Sequence, residues 1–134
     1  MKILVTAKRV TDPDARIRLK ADLSGIDSEG VEFKLNPFCE NAIEEAVRLK
    51  DAHGADVVVV GIGTAENDAE IRRAMAMGCD SGIRVEGTDD QLDSDLVARI
   101  LAKLVEQEQP DVVLLGKQAV DGDSNQVAQL LAAY

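Results

Sequence analysis

The stretch that decides the fold is VVLLGKQAVDGDSNQV, residues Val112 to Val127. An apolar run ends at Gly116, and a polar loop rich in Gly and Asp then leads into a new helical pattern from Ser124. A buried strand that delivers a small-residue loop to the start of a helix is the usual phosphate-binding arrangement of α/β proteins. The stretch therefore predicts an α/β fold with a phosphate site close to this loop.

The rest of the sequence repeats the same alternation of strand and helix. Apolar runs predict four core strands: Lys2 to Ala7, Asp56 to Gly61, Gly82 to Glu86 and Val112 to Leu115. Helical spacing of apolar residues covers segments 36–53, 68–77 and 93–107, and it begins again at residue 124. Such alternation predicts right-handed βαβ units and a Rossmann-like, mostly parallel sheet with helices on both faces.

A β-hairpin flap is predicted beside this sheet. Arg16 to Lys20 and Val31 to Leu35 alternate strictly between apolar and polar residues, and SGIDSEG between them supplies turn residues. We therefore expect these two segments to pair antiparallel, with the preceding KRVTDPDA as a loop.

Length and composition narrow the function classes. At 134 residues we expect one domain over residues 1–134. The net charge of −10 and the lack of a Lys/Arg stripe argue against a nucleic-acid partner. No apolar run reaches membrane-spanning length, and MKILVTAK begins directly as a strand without a targeting peptide. We expect a cytoplasmic protein without membrane insertion.

The loop of residues 116–126 is the first candidate site. The backbone N–H groups of residues 125–127 would be among the unpaired donors of the helix start, at the positive end of the helix dipole. Asp123 or Ser124 could cap that helix, and Gly122 would permit the positive φ that builds an anion-binding nest. The alternative is an ordinary connection between strand and helix with a good cap.

Two further loops follow core elements. GIGTAE, residues 61–66, has the first two glycines of a dinucleotide fingerprint but Glu66 in place of the third, which favours an approaching base or ribose over a wrapped pyrophosphate. NPFCE, residues 36–40, begins a helix, and a cap by Asn36 with Pro37 in the first turn explains both residues. Phe38 is either a ligand-facing aromatic or plain core.

The sequence offers no set of catalytic or metal-binding residues. Cys39 and Cys79 are isolated, without CxxC spacing or nearby histidines, and are interpreted as structural thiols. His53 is the one histidine, and no Ser/His/Asp or Cys/His set accompanies it. We predict no metal site and no nucleophilic catalysis.

Taken together, these segments resemble the β subunit of electron transfer flavoprotein. The matching motifs are LVTAKRV, NPFCENAIEEAVRLK, AMAMGCD and LLGKQAVDGDSNQV, in that order and over essentially the whole chain. The resemblance implies an electron carrier rather than an enzyme, in an αβ heterodimer that takes electrons from acyl-CoA dehydrogenases and other flavin dehydrogenases. The redox FAD is held mainly by the α subunit, and the β subunit buries an AMP.

The resemblance also implies which residues contact the cofactors. They are Thr6, Ala7, Asn36, Pro37, Phe38, Cys39, Ile62, Gly116, Val120, Asp121, Gly122, Asp123, Ser124, Asn125, Gln126 and Val127. The base and ribose would lie near NPFCE and the loop at Gly61, and the phosphate would lie at the helix start after Asp123. Phe38 would approach the flavin held by the partner subunit.

The chain departs from the family pattern at several points. Pro13 stands where many relatives carry a tyrosine near the flavin, and Val127 stands where a threonine hydroxyl often meets the phosphate. Family members are also much longer, with a C-terminal part that docks dehydrogenases and contacts the α subunit. The chain is therefore expected to be the nucleotide-binding portion.

Three alternative functions remain at this point. Electron-bifurcating members hold a second FAD in place of AMP and usually read DGDTAQVGP in this loop, with Arg at the position of Lys117, so the present loop favours AMP. A free-standing adenine-nucleotide module is a second alternative. An ATP-hydrolysing or adenylating enzyme is the third, and the lack of an SGGxDS-like loop after the first strand counts against it.

Overall fold

The structure, a computed structural model, describes residues 1–27 and 29–134. Within these residues the chain forms, in order, β1 (Lys2–Thr6), β2 (Arg9–Thr11), β3 (Arg18–Leu19), β4 (Ile26–Asp27), β5 (Phe33–Leu35), α1 (Pro37–His53), β6 (Asp56–Gly63), a 3₁₀ turn (Ala65–Asn67), α2 (Asp68–Met77), β7 (Ser81–Glu86), α3 (Ser94–Glu108), β8 (Val112–Leu114) and α4 (Val127–Ala133). The helices and core strands lie where the hydrophobic patterns predict them, with ends that differ by at most three residues.

The core sheet has four parallel strands in the order β7-β6-β1-β8. Ile3 of β1 lies opposite Val57 of β6 on one side and opposite Val112 of β8 on the other. The chain builds outward from β1 through β6 to β7 and then returns to the other side of β1 for β8. The strand order therefore reverses between β1 and β8, which is the place where open α/β sheets bind ligands.

Helices cover both faces of this sheet, as predicted. Successive strand residues point to opposite faces. On one face Ile3, Val5, Val57 and Val59 pack with side chains of α1 and α2. On the other face Leu4, Val58 and Val60 pack with Leu101 and Leu104 of α3, and α4 adds partly buried side chains. The α/β, Rossmann-like class is confirmed.

Local signals in the sequence account for several helix ends. Gly54 ends α1 with a left-handed φ of +67°, which a glycine adopts without a steric penalty. Asp93 begins α3, because its side-chain carboxylate accepts a hydrogen bond from the backbone N–H of Leu96 at 2.7 Å. Gly54 ends α1 at the amino edge of the sheet, just before β6, whereas Asp93 begins α3 after β7, at the carboxyl edge.

The predicted pairing of the flap is wrong. Segment 31–35 contributes β5, which pairs antiparallel with β2, a strand predicted as loop, and Arg9 lies opposite Leu35. Segment 16–20 contributes β3, which pairs with β4 instead. The physical reason is that Val10, the middle residue of β2, is fully buried and competes for β5, while β4 offers β3 a partner across a shorter loop.

Candidate functional site

A cavity of about 640 Å³ opens at the point where the strand order reverses. The cavity is lined by Thr6 and Ala7 at the end of β1, by Ile62 near the end of β6, and by Leu115 and Gly116 after β8. Its size lies within the usual range of small-molecule sites. The cavity therefore occupies the expected ligand position of a parallel α/β sheet.

Most of the residues predicted to bind cofactor meet in this one cavity. Those that line it are Thr6, Ala7, Asn36, Cys39, Ile62, Gly116, Asp121, Gly122, Ser124, Gln126 and Val127. Within the described residues, the cavity wall leaves out Pro37, Phe38, Val120, Asp123 and Asn125. The fold thus brings together parts of all three predicted loops, which are far apart in the sequence.

Two walls of the cavity are missed by sequence reasoning. The start of α3 forms one, through residues that include Asp93, Ser94 and Val97. The β2–β5 sheet and the tip of β4 form the other, through Phe33 and Ile26. The amphipathic pattern predicts α3 as a helix, but only the return of the chain from β7 to β8 shows that its first turn faces the site.

The predicted start of the last helix is wrong. The structure begins α4 at Val127 rather than Ser124, and the residue before it, Gln126, makes no capping hydrogen bond with its side chain. The positive φ is at Asp123, at +55°, and not at Gly122. Since the backbone N–H of Ala119 donates to the carbonyl of Ser124 at 3.1 Å, residue 124 closes a turn instead of opening a helix.

The side chains of the predicted caps have other partners. Asp123 accepts a hydrogen bond from Nε2 of Gln118 at 2.6 Å, and Ser124 Oγ lies 3.1 Å from Ser94 Oγ of α3. The helix-start donors are consequently the N–H groups of residues 127–129 rather than those of residues 125–127. These two side chains therefore link the loop to itself and to the start of α3.

Asn36 stands at the predicted N-cap position of α1, but its side chain does not cap the helix. Its Nδ2 donates to the carbonyl of Gln118 at 2.8 Å, and its Oδ1 accepts from the backbone N–H of Val120 at 3.3 Å. The Asn36 backbone carbonyl accepts the N–H groups of Cys39 and Glu40 instead. The cap interpretation therefore explains the position of Asn36 and not the use of its amide.

Gly116 lets the loop after β8 touch the start of α1. A Cβ at this position would lie 2.8 Å from the backbone N of Cys39 and 2.8 Å from the carbonyl carbon of Phe38. Those are backbone atoms, which cannot rotate aside. A residue without a side chain is required for the approach.

Gly61 and Gly63 lie among the last three residues of β6, which extends past the predicted end at Gly61, and they pack against another part of the chain. A Cβ on Gly61 would lie 2.3 Å from Nδ2 of Asn67 and 3.0 Å from the side chain of Ile71, and one on Gly63 would lie 3.3 Å from the Asn67 Cβ. These contacts belong to the 3₁₀ turn and α2, on the face opposite the cavity. Ile62, between the two glycines, is the residue of segment 61–66 that reaches the cavity.

Ion pairs hold two of the three cations in the cavity wall. Lys8 Nζ lies 2.7 Å from Asp121 and joins the loop after β1 to the loop after β8. Arg9 lies 3.0 Å from Glu66, and its guanidinium stacks 3.7 Å from the centroid of Phe33. Both pairs are partly exposed, so each contributes about 0–1 kcal/mol to stability and chiefly fixes side-chain positions.

The third cation, Lys117, lies beside Phe38. Its Nζ is 5.9 Å from the centroid of the Phe38 ring, within the range of a cation–π contact. Phe38 is half-buried at the first turn of α1, next to the cavity but outside its wall. It is thus not a residue of the main core, and the predicted flavin contact stays a prediction.

The two cysteines are buried and free. Burial raises the pKa of the Cys79 thiol to about 11, which keeps the group protonated at neutral pH. Among the described residues, no group of three or more His, Cys, Asp or Glu side chains is placed to hold a metal ion. No helix in the same part of the chain is long and apolar enough to cross a membrane.

Comparisons with known proteins identify the family. The model of the electron transfer flavoprotein domain matches residues 24–134. The chain belongs to the electron transfer flavoprotein family. It is 51% identical over 136 residues to the protein named electron transfer flavoprotein subunit beta of Bradyrhizobium diazoefficiens, and this match covers 99% of the chain and 53% of the relative.

Eukaryotic β subunits of the family are nearly as similar. The human electron transfer flavoprotein subunit beta is 47% identical over 138 residues, covering 100% of the chain and 54% of the relative. A mitochondrial β subunit of Arabidopsis thaliana is 45% identical over 134 residues, covering 99% of the chain and 53% of the relative. The resemblance to β subunits is therefore confirmed, and the chain spans about half the length of the curated relatives it matches.

Proposed function

We propose that this chain is the nucleotide-binding part of an electron transfer flavoprotein β subunit, which binds AMP in the cavity between the ends of β1 and β8. In this proposal it also forms one wall of the FAD site in an αβ heterodimer. The heterodimer accepts electrons from acyl-CoA and other flavin dehydrogenases. The observation that carries the proposal is the meeting of the three predicted loops in one cavity where the strand order reverses.

The chemistry of the cavity wall fits a nucleoside monophosphate. Apolar side chains that suit the flat faces of a base are Val60, Ile62, Val97, Leu101 and Leu115. Hydroxyl and amide side chains that suit a ribose and a phosphate are Thr6, Ser94, Ser124 and Gln126. Such a mixture of apolar walls with a few converging polar groups is typical of small-molecule sites.

The phosphate end is assigned to the loop of residues 116–126 and the first turn of α4. Backbone N–H groups of residues 127–129 have no partner inside the helix and can donate to an anion. Val127 lines the cavity and has no hydroxyl, so its contribution is a backbone one. Lys117 supplies the cation of the wall that neither of the two ion pairs described above neutralises.

The FAD wall is assigned to the first turn of α1. Phe38 is half-buried there, and Lys117 lies against its ring. When bound, the FAD supplies the electron-accepting and electron-donating chemistry, and the protein supplies position and environment. The role of this chain is thus to bind, orient and shield cofactors, as a carrier subunit and not as an enzyme.

Mass spectrometry of the small molecules released on denaturation tests the proposal. The purified protein, alone and with its α subunit, should release AMP. FAD released by this chain alone would instead support an electron-bifurcating type, and ATP turnover would support an enzyme. If the chain releases no nucleotide and equilibrium dialysis shows no uptake of added AMP, the AMP assignment is wrong.

A further inference from the structure

Asn36 connects three walls of the cavity. Its backbone N–H donates to the carbonyl of Lys8, after β1, at 2.8 Å, and its backbone carbonyl accepts the N–H of Cys39, in α1, at 2.8 Å. Its side chain makes the hydrogen bonds to Gln118 and Val120 in the loop after β8. One residue thus contacts the loop after β1, the start of α1 and the loop of residues 116–126.

The side chain of Asn36 has little capacity left for a ligand. Its Nδ2 uses one hydrogen on the carbonyl of Gln118, and Nδ2 also lies 3.4 Å from Sγ of Cys39. Its Oδ1 receives the N–H of Val120. Both N–H bonds of the amide and one of its two acceptor positions are therefore used inside the protein.

Burial makes these hydrogen bonds matter. Asn36 is 2% exposed, so water cannot replace a lost partner without rearrangement of the loop. A buried amide that is left without hydrogen-bond partners lowers the stability of the protein by more than one intramolecular hydrogen bond adds to it on balance. The loop of residues 116–126 therefore stays against Asn36 as long as the hydrogen bonds of the Asn36 side chain are formed.

We propose that Asn36 is a positioning residue for the nucleotide, which acts by holding the loop of residues 116–126 in its binding shape rather than by gripping the ligand. This inference rests on the proposed function, because AMP is the ligand whose affinity depends on Asn36. The same hold on the loop exists without any ligand, so it can be measured independently.

The Asn36→Asp substitution tests this role. The carboxylate keeps the size of the amide and can still accept from Val120, but it faces the carbonyl of Gln118 with a second negative oxygen. We expect the dissociation constant for AMP at pH 8 to rise about tenfold or more, since a buried acceptor pair replaces a donor–acceptor pair. On acidification the protonated carboxyl can donate to Gln118, so at pH 5 the ratio to wild type should fall to about threefold or less.

Hydrogen exchange of the unliganded protein gives the second readout. At pH 8 the amides of residues 116–126 should exchange faster in the Asn36→Asp protein, while those of β1 and β6 stay unchanged. Asn41→Asp is the matched control, because Asn41 is exposed on the same helix and lies outside the cavity wall. It introduces the same charge and should leave both affinity and exchange within about twofold of wild type.

The outcomes separate this inference from the proposed function. Unchanged loop exchange in the Asn36→Asp protein, or an affinity loss that is equal at pH 5 and pH 8, overturns the positioning role. Failure of the wild-type protein to bind AMP overturns the proposed function, while the exchange comparison still tests the hold of Asn36 on the loop. If the charged variant unfolds at pH 8, Asn36→Ala replaces it, and that protein should show fast loop exchange without recovery at low pH.

Discussion

Gly116 and Gly122 lie in the same loop and differ in what surrounds them. A Cβ on Gly116 would press on the backbone of Phe38 and Cys39, whereas a Cβ on Gly122 would meet nothing within 4 Å. Whether a glycine is required at a position of this loop depends on a neighbour from another part of the chain. The two positions therefore offer a matched pair of substitutions.

We expect Gly116→Ala to weaken AMP binding about tenfold and to lower the free energy of unfolding by about 1–3 kcal/mol, the usual cost of overpacking. The added methyl group must push the loop after β8 away from α1. Titration calorimetry and chemical denaturation measure the two effects. Gly122→Ala is the control for stability, because Gly122 itself lines the cavity, and equal losses of unfolding free energy in the two variants would contradict the placement of the loop against α1.

Cys79 gives the protein a pH dependence on the alkaline side. Burial raises its folded-state pKa from 9.0 to about 11, so the folded protein holds this proton more tightly than the unfolded chain does. The stabilisation from the protonated thiol is complete below about pH 9 and decreases as the pH rises, with a loss of about 2 kcal/mol at pH 11. Denaturation curves between pH 8 and 11 should show this loss. The free energy of unfolding should depend less on pH in the Cys79→Ala protein.

Asn36 shows why single residues are the hardest scale to predict from sequence. Its N-cap position follows from the local pattern, because Asn before Pro favours the start of a helix. Its hydrogen-bond partners lie 82 and 84 residues away in the sequence. No local preference indicates partners at such separation, so the amide could not be assigned before the fold was known.

At the scale of elements, the periodicity of apolar residues predicts the long and regular helices and strands. The pattern of α3 and the apolar runs of β1 and β6 determine those elements, because the apolar side chains of the two strands are nearly all buried and most of those of α3 are buried or partly buried. The short strands β2 to β5 are a different case, since two or three residues carry too little pattern to choose a partner. Burial of Val10 decides that choice, and burial is a property of the folded chain.

The two small antiparallel sheets should differ in stability. In the β2–β5 sheet, Val10 and Leu35 are fully buried, whereas in the β3–β4 sheet Leu19 is 64% and Ile26 is 47% exposed. Little apolar burial means a low free energy of local opening. Native-state hydrogen exchange should therefore show amides of β2 and β5 at least about tenfold slower than those of β3 and β4, and equal rates would contradict the pairing described here.

At the scale of the whole molecule, the sequence predicts a parallel sheet but not the order of its strands. The order β7-β6-β1-β8 determines that the ends of β1 and β8 are neighbours and that α3 crosses beside them. Motif resemblance indicates most of the cavity-lining loops. The wall formed by Ser94 and Val97 follows only from the crossing.

AMP binding should stabilise the whole protein. A ligand that binds only the folded state at about 100 times its dissociation constant adds about 2.7 kcal/mol. For a chain of this size that corresponds to a rise in Tm of about 5–10 °C. Differential scanning calorimetry measures the rise in Tm with AMP, and with adenosine and inorganic phosphate as separate controls. If either of these two fragments alone raises the Tm as much as AMP does, the site does not hold base and phosphate together.

The ion pair between Lys8 and Asp121 joins residues that are 113 positions apart, and Ile3 pairs with Val112 in the sheet. On a ribosome, the first strand is made long before either partner of this kind has emerged. Contacts of such sequence separation form late, because the intervening chain must first be ordered. The pocket is therefore absent from any nascent chain shorter than about this length, and under the proposed function AMP can be captured only after the sheet has closed around its first strand.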